Sequence, residues 1–102
     1  MKQRPPKLDS GRAEEIAILG LGFLAGDEDR LGRFLALTGA GPEALAKART
    51  EPDVLASVLE YLLGDEQLLV EFADQHELAP ASIQTAWDLL VYADITRRRP
   101  QT

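Results

Sequence analysis

No cysteine occurs in the chain, which excludes disulfide staples, thiolate metal ligands and thiol chemistry and is compatible with a reducing compartment. There is one histidine, His76, and it would have to converge with other ligands or a nucleophile before it could hold zinc or move a proton. Long apolar runs are missing too. The longest charge-free stretch, between Glu15 and Asp27, has 11 residues and spans about 16 Å as a helix, well short of a bilayer core. The basic start Met1-Lys2-Gln3-Arg4-Pro5-Pro6-Lys7 is not followed at signal-peptide spacing by a hydrophobic stretch and small-residue cleavage site. A cytoplasmic protein without membrane contact is therefore expected. No segment alternates apolar and polar residues between hairpin turns, so no sheet is expected.

What remains is an ordinary globular composition, 45% apolar and 27% charged, in 102 residues that suit one domain. The net charge of −6 is unevenly placed. Lys2, Arg4 and Lys7 stand at the start and Arg97, Arg98 and Arg99 near the end, while residues 8–96 hold five basic against 17 acidic residues, a net of −12. Such a body repels phosphate backbones, and the basic ends read as solvated tails. The expected division is a basic leader over 1–8, a helical domain over 9–95 and a basic tail over 96–102.

Helix signals follow one another with short gaps. Asp9 or Ser10 caps the first helix, with Glu14 and Glu15 placed in its opening turn and Ile16, Leu19, Gly20, Phe23 and Leu24 facing inward. Asp27 caps a second, with Leu31, Phe34 and Leu35 as its stripe and Gly39 as a left-handed stop. Gly41-Pro42 opens a third, with Leu45 and Ala48 inward. Thr50-Glu51-Pro52-Asp53 resembles a capping box ahead of Val54, Leu55, Val58, Leu59 and Leu62, and Gly64 ends that helix. Asp65 caps a fifth bearing Leu68, Leu69, Phe72 and Ala73, and Pro80 opens a sixth with Ile83, Ala86, Trp87, Leu90 and Val91 inward. The fold class is all-α, a compact orthogonal bundle of five to six short helices.

Candidate chemistry is thin. Gly20-Leu21-Gly22 lacks the preceding strand of a dinucleotide site, and glycine at 20 and 22 reads instead as room for close helix approach. Asp27-Glu28-Asp29 begins like a calcium loop, but Leu31 and Thr38 occupy its fifth and twelfth positions, where oxygen ligands are needed. Glu14 and Glu15 splay around a helix and build no dyad. No catalytic residue, metal site or cofactor is expected, and neither is an enzyme. One pattern is sharper: Phe72, Ala73, Glu77, Leu78, Ile83 and Ala86 match helix-turn-helix spacing, with Glu77 where a glycine normally turns the chain. Residues 66–96, however, carry six acidic side chains and no Lys or Arg, the reverse of a phosphate-binding face.

Several strings resemble those of small alphaproteobacterial proteins grouped as domain-of-unknown-function family 3572. They are Ala13-Glu14-Glu15-Ile16-Ala17, Phe23-Leu24-Ala25, Arg33-Phe34-Leu35-Ala36-Leu37-Thr38-Gly39, Pro52-Asp53-Val54-Leu55-Ala56, Leu62-Leu63-Gly64-Asp65-Glu66, and Phe72-Ala73 with Leu78-Ala79-Pro80. The resemblance covers about residues 13–90 and implies a bacterial cytoplasmic helical domain. It brings no activity and no site residues with it.

The functional expectation is thus a non-enzymatic protein–protein interaction or regulatory module, binding an unidentified protein or a second copy of itself as a homodimer. Its candidate contact patch is Trp87, Leu90, Val91 and Tyr92, because Trp and Tyr are enriched at interface hot spots. The alternative is nucleic-acid binding through the pair over 66–95 with Arg97, Arg98 and Arg99, against which the acidic body weighs.

Overall fold

Two kinds of start signal divide the helices between them. Aspartate caps α1 (Ser10–Ala25), α2 (Glu28–Thr38) and α5 (Glu66–Gln75), whereas proline opens α3 (Pro42–Ala46), α4 (Pro52–Leu63) and α6 (Pro80–Arg98). Asp9 accepts from the Arg12 amide at 2.8 Å, Asp27 from the amides of Asp29 and Arg30, and Asp65 from Leu68 at 3.2 Å. Each such bond satisfies an amide that has no partner inside the helix, a contribution of about 1 kcal/mol. Proline sacrifices nothing there, since its missing N–H would have been one of those orphans. This computed structural model describes residues 8–39, 41–47 and 51–98, and among them there are six helices and no strand.

Three local expectations shift. Because the first helical residue is Ser10, Glu14 and Glu15 fall beyond the opening turn, which holds no acidic residue. Glu51, not Thr50, sits at the cap position of α4 and its side chain makes no capping bond; Thr50 and Ala48 lie outside the described residues. At the far end α6 continues through Arg98, past the boundary expected at 95. Leu8 packs half-buried against the core and so belongs with the domain, while residues 1–7 lie outside the described ones.

Packing centres on α1, α4 and α6, each of which touches the other two; α2 adds to α1 and α4, and α5 to α4 and α6. The core joins Ile16, Phe23 and Leu24 of α1 with Phe34, Leu55, Leu59, Leu62, Phe72, Ile83 and Leu90. Aromatic pairs knit its edges. Phe23 and Phe72 meet at 5.6 Å between ring centroids, and Phe34 meets Tyr61 edge-on at 5.5 Å. Above this layer the Arg30 guanidinium lies 4.3 Å from the Phe23 ring centroid and reaches Glu71 at 3.2 Å, tying α2 to α5.

Gly20 allows the tightest approach in this arrangement. A Cβ there would stand 3.0 Å from Leu62 Cδ1 and 3.2 Å from Val58 Cγ1, so the missing side chain lets α1 settle onto α4. Gly22 does not share the role. It is exposed and has nothing within 4 Å, contrary to the packing role expected for it, because two residues turn the helix by about 200° and put it on the solvent side.

Candidate functional site

The sixth helix has one face buried in the core and an outward stripe that includes two large apolar side chains. Ile83, Ala86 and Leu90 are buried against α1 and α4. On the opposite side Ala81, Gln84, Asp88, Tyr92 and Ile95 are exposed, at the intervals of three and four that define one helical stripe. Tyr92 is 71% and Ile95 55% exposed. Trp87 and Val91 flank this stripe and are half-buried. The Trp87 indole N–H is enclosed and donates to nothing.

The predicted patch is therefore divided. Tyr92 faces solvent as a contact residue must, and Trp87 and Val91 form its inner border. Leu90 does not belong to it: at 1% exposure it is a core residue. Position 90 lies about 160° around the helix from position 92, which puts the two on different faces. Ile95 was missed, although its spacing of three from Tyr92 would have placed it on the same face. The side chains of Arg97 and Arg98, and all of Arg99, lie outside the described residues.

The helix-turn-helix spacing has a definite geometry. Ala73, Ile83 and Ala86 are buried, and Leu78 is half-buried on the core. Glu77 takes φ of 54°, in the left-handed region, at the very position where glycine was missing. Around it the Leu78 amide donates to the Ala73 carbonyl at 2.8 Å and the Glu77 amide to Asp74 at 3.3 Å, the paired bonds of a Schellman helix stop. The turn thus forms in spite of a Cβ that disfavours it by about 1–2 kcal/mol. Glu77→Gly is expected to raise stability by about 0.5–1 kcal/mol, the strain relieved less the added chain entropy of glycine. A higher urea midpoint with an unchanged slope would show it, and a loss of stability would mean that the glutamate side chain supports the turn.

Grooves elsewhere are shallow in chemistry. One groove of about 620 Å³ runs between α2 and α4 and is lined by Arg33, Leu37, Thr38, Ser57, Glu60, Tyr61, Gly64 and Asp65. Leu37 at its rim is 76% exposed. No polar or charged residue among the described ones is buried, so the groove offers no desolvated group aimed at a ligand. His76 caps the end of α5, its ring 5.2 Å from that of Phe72, and no group of three metal-ligating side chains occurs among the described residues. Nor is any described helix long and apolar enough to cross a membrane.

Helices alone, an apolar core without buried charge and one outer stripe of mixed apolar and charged residues place the chain among small all-α bundles. It belongs to the family described as "Protein of unknown function (DUF3572)", whose model matches residues 10–92. No curated protein and no solved structure matches it.

Proposed function

We propose that this protein is a non-enzymatic interaction module that binds a protein partner through the solvent side of α6. The observation that carries this reading is the exposure of Tyr92 and Ile95 on one stripe of a helix whose other face already supplies the core. Two large side chains left 71% and 55% in water forgo part of the roughly 1.5–3 kcal/mol that full burial of such an apolar side chain is worth. A partner recovers that free energy, and Tyr contributes a large, stiff contact with a hydroxyl for orientation. A bacterial cytoplasmic setting belongs to the same reading and agrees with the absence of cysteine.

Tyr92→Glu combined with Ile95→Glu tests it. Both side chains are exposed, so the variant should keep its helical circular dichroism while its affinity capture of native-lysate protein falls at least about tenfold, as expected when hot-spot residues are lost. Undiminished capture by the folded variant would sink the assignment to α6.

A second reading is favoured by the left-handed turn at Glu77, which sets α5 and α6 at helix-turn-helix spacing. Against it, the exposed side of α6 presents Asp88 and no described cation. Nuclease treatment in the same capture separates the two: enrichment that collapses with nuclease, and weakens steeply with salt, assigns nucleic acid instead.

A further inference from the structure

Negative charge gathers around one concave surface. The groove between α2 and α4 runs on into a second depression of about 300 Å³ against α5, and the two share Arg33, Tyr61 and Asp65. A third, on α5 itself, shares Asp65, Gln67 and Glu71 with the second. Six carboxylates line the three together, those of Asp27, Asp29, Glu60, Asp65, Glu66 and Glu71, against the two arginines 30 and 33. The face therefore carries a net charge of −4. Arg30 is already held by Glu71 and by the Phe23 ring. Asp29, Glu60 and Glu66 are exposed and make no ion pair among the described residues. Apolar groups stand among these charges. Exposed Leu37 lines the groove, exposed Val70 the third depression, and half-buried Tyr61 the first two.

We propose that this face docks a Lys/Arg-rich segment of a partner protein, with aliphatic side chains interspersed. Charge complementarity chooses the occupant. Carboxylates that lack a cation repel phosphate backbones, anionic lipid surfaces and a second copy of the acidic chain, and they attract ammonium and guanidinium groups. A segment lying in the groove brings its cations within reach of Glu60 and Asp65, beside the Tyr61 ring, and sets an aliphatic side chain on Leu37. No residue of α6 lines this face, so the inference goes beyond the reading above and does not depend on it. Because the charges stand in water, the contact is weak, and salt screens it.

The test follows backbone amide NMR shifts of the full chain during titration with a synthetic peptide of arginines and interspersed leucines. Titration to about 1 mM suits a contact made by exposed charges. Shifts should gather on Leu37, Tyr61, Gly64 and Asp65, and affinity should fall about tenfold as salt rises from about 0.05 to about 0.5 M. Glutamates in place of the peptide's arginines should abolish binding, and alanines in place of its leucines should weaken it. Glu60→Lys with Glu66→Lys should cost about tenfold in affinity, since attractions become repulsions. Leu37→Asp should weaken binding as the alanine peptide does. All three positions are exposed, so these variants keep the circular dichroism of the parent chain. Absence of shifts throughout the titration overturns the proposal. So do shifts spread evenly over the acidic surface or centred on α6, and an affinity indifferent to the changes at 60 and 66. Tyr92→Glu with Ile95→Glu should bind the peptide like the parent chain. If it does and also keeps full capture from lysate, the α6 reading falls and this one stands; lost capture with no peptide binding does the reverse.

Discussion

Phe72→Ala is expected to remove about 3–5 kcal/mol of stability, a large part of the roughly 5–15 kcal/mol that holds a domain of this kind. Phe72 is fully buried, and with Ala73 it is all that α5 contributes to the buried core. Its ring meets Phe23 on one side and His76 on the other, and its carbonyl accepts the His76 amide at 3.1 Å where the helix stops. Loss of the ring leaves a cavity under α5 and unties α1 from the turn into α6. Urea unfolding should show a lower midpoint at a similar slope, and amides over 66–75 should exchange first. A cost below about 1 kcal/mol would mean that α5 is held chiefly by its outer contacts, such as Arg30 with Glu71, which as an exposed pair is worth only about 0.2–1 kcal/mol.

The second large effect separates the two faces of α6. Leu90→Ala should cost about 2–5 kcal/mol, whereas Tyr92→Ala, two residues away, should stay within about 0.5 kcal/mol. Leu90 is 1% exposed in the layer shared with α1 and α4, and Tyr92 stands in solvent. Binding should respond in the opposite sense: Tyr92→Ala lowers partner capture and leaves the fold intact. Equal costs at the two positions would show that Tyr92 packs on the body and is not available to a partner.

Much of this architecture could be read from the chain because its signals are local. Aspartates 9, 27 and 65 ahead of apolar stripes, and prolines 42, 52 and 80 at first turns, act within four residues of themselves and need no tertiary context. Gly39 ends α2 with φ of 72° for the same reason. Roles set by other helices were harder to assign. Gly20 and Gly22 look alike in sequence, yet only the path of α4, through Val58 and Leu62, tells them apart. Likewise Trp87, Leu90, Val91 and Tyr92 are all apolar or aromatic, and that alone does not say which of them the core will take. The spacing of three from Tyr92 to Ile95 places both on one stripe, whereas Leu90, two residues before Tyr92, falls on the core face. At Glu77 the spacing alone marked a turn; that glutamate would enter the left-handed region followed from no rule of residue preference.

Trp87 gives the molecule a built-in reporter. It is the chain's only tryptophan, and it sits half-buried where the core meets the outer stripe of α6, its N–H shut away from water without a partner. Emission excited at the red edge therefore comes from one known place. An indole in such surroundings shifts in colour when the remaining water at its edge is displaced, so occupation of the neighbouring surface becomes visible without any dye, and light itself can titrate the contact.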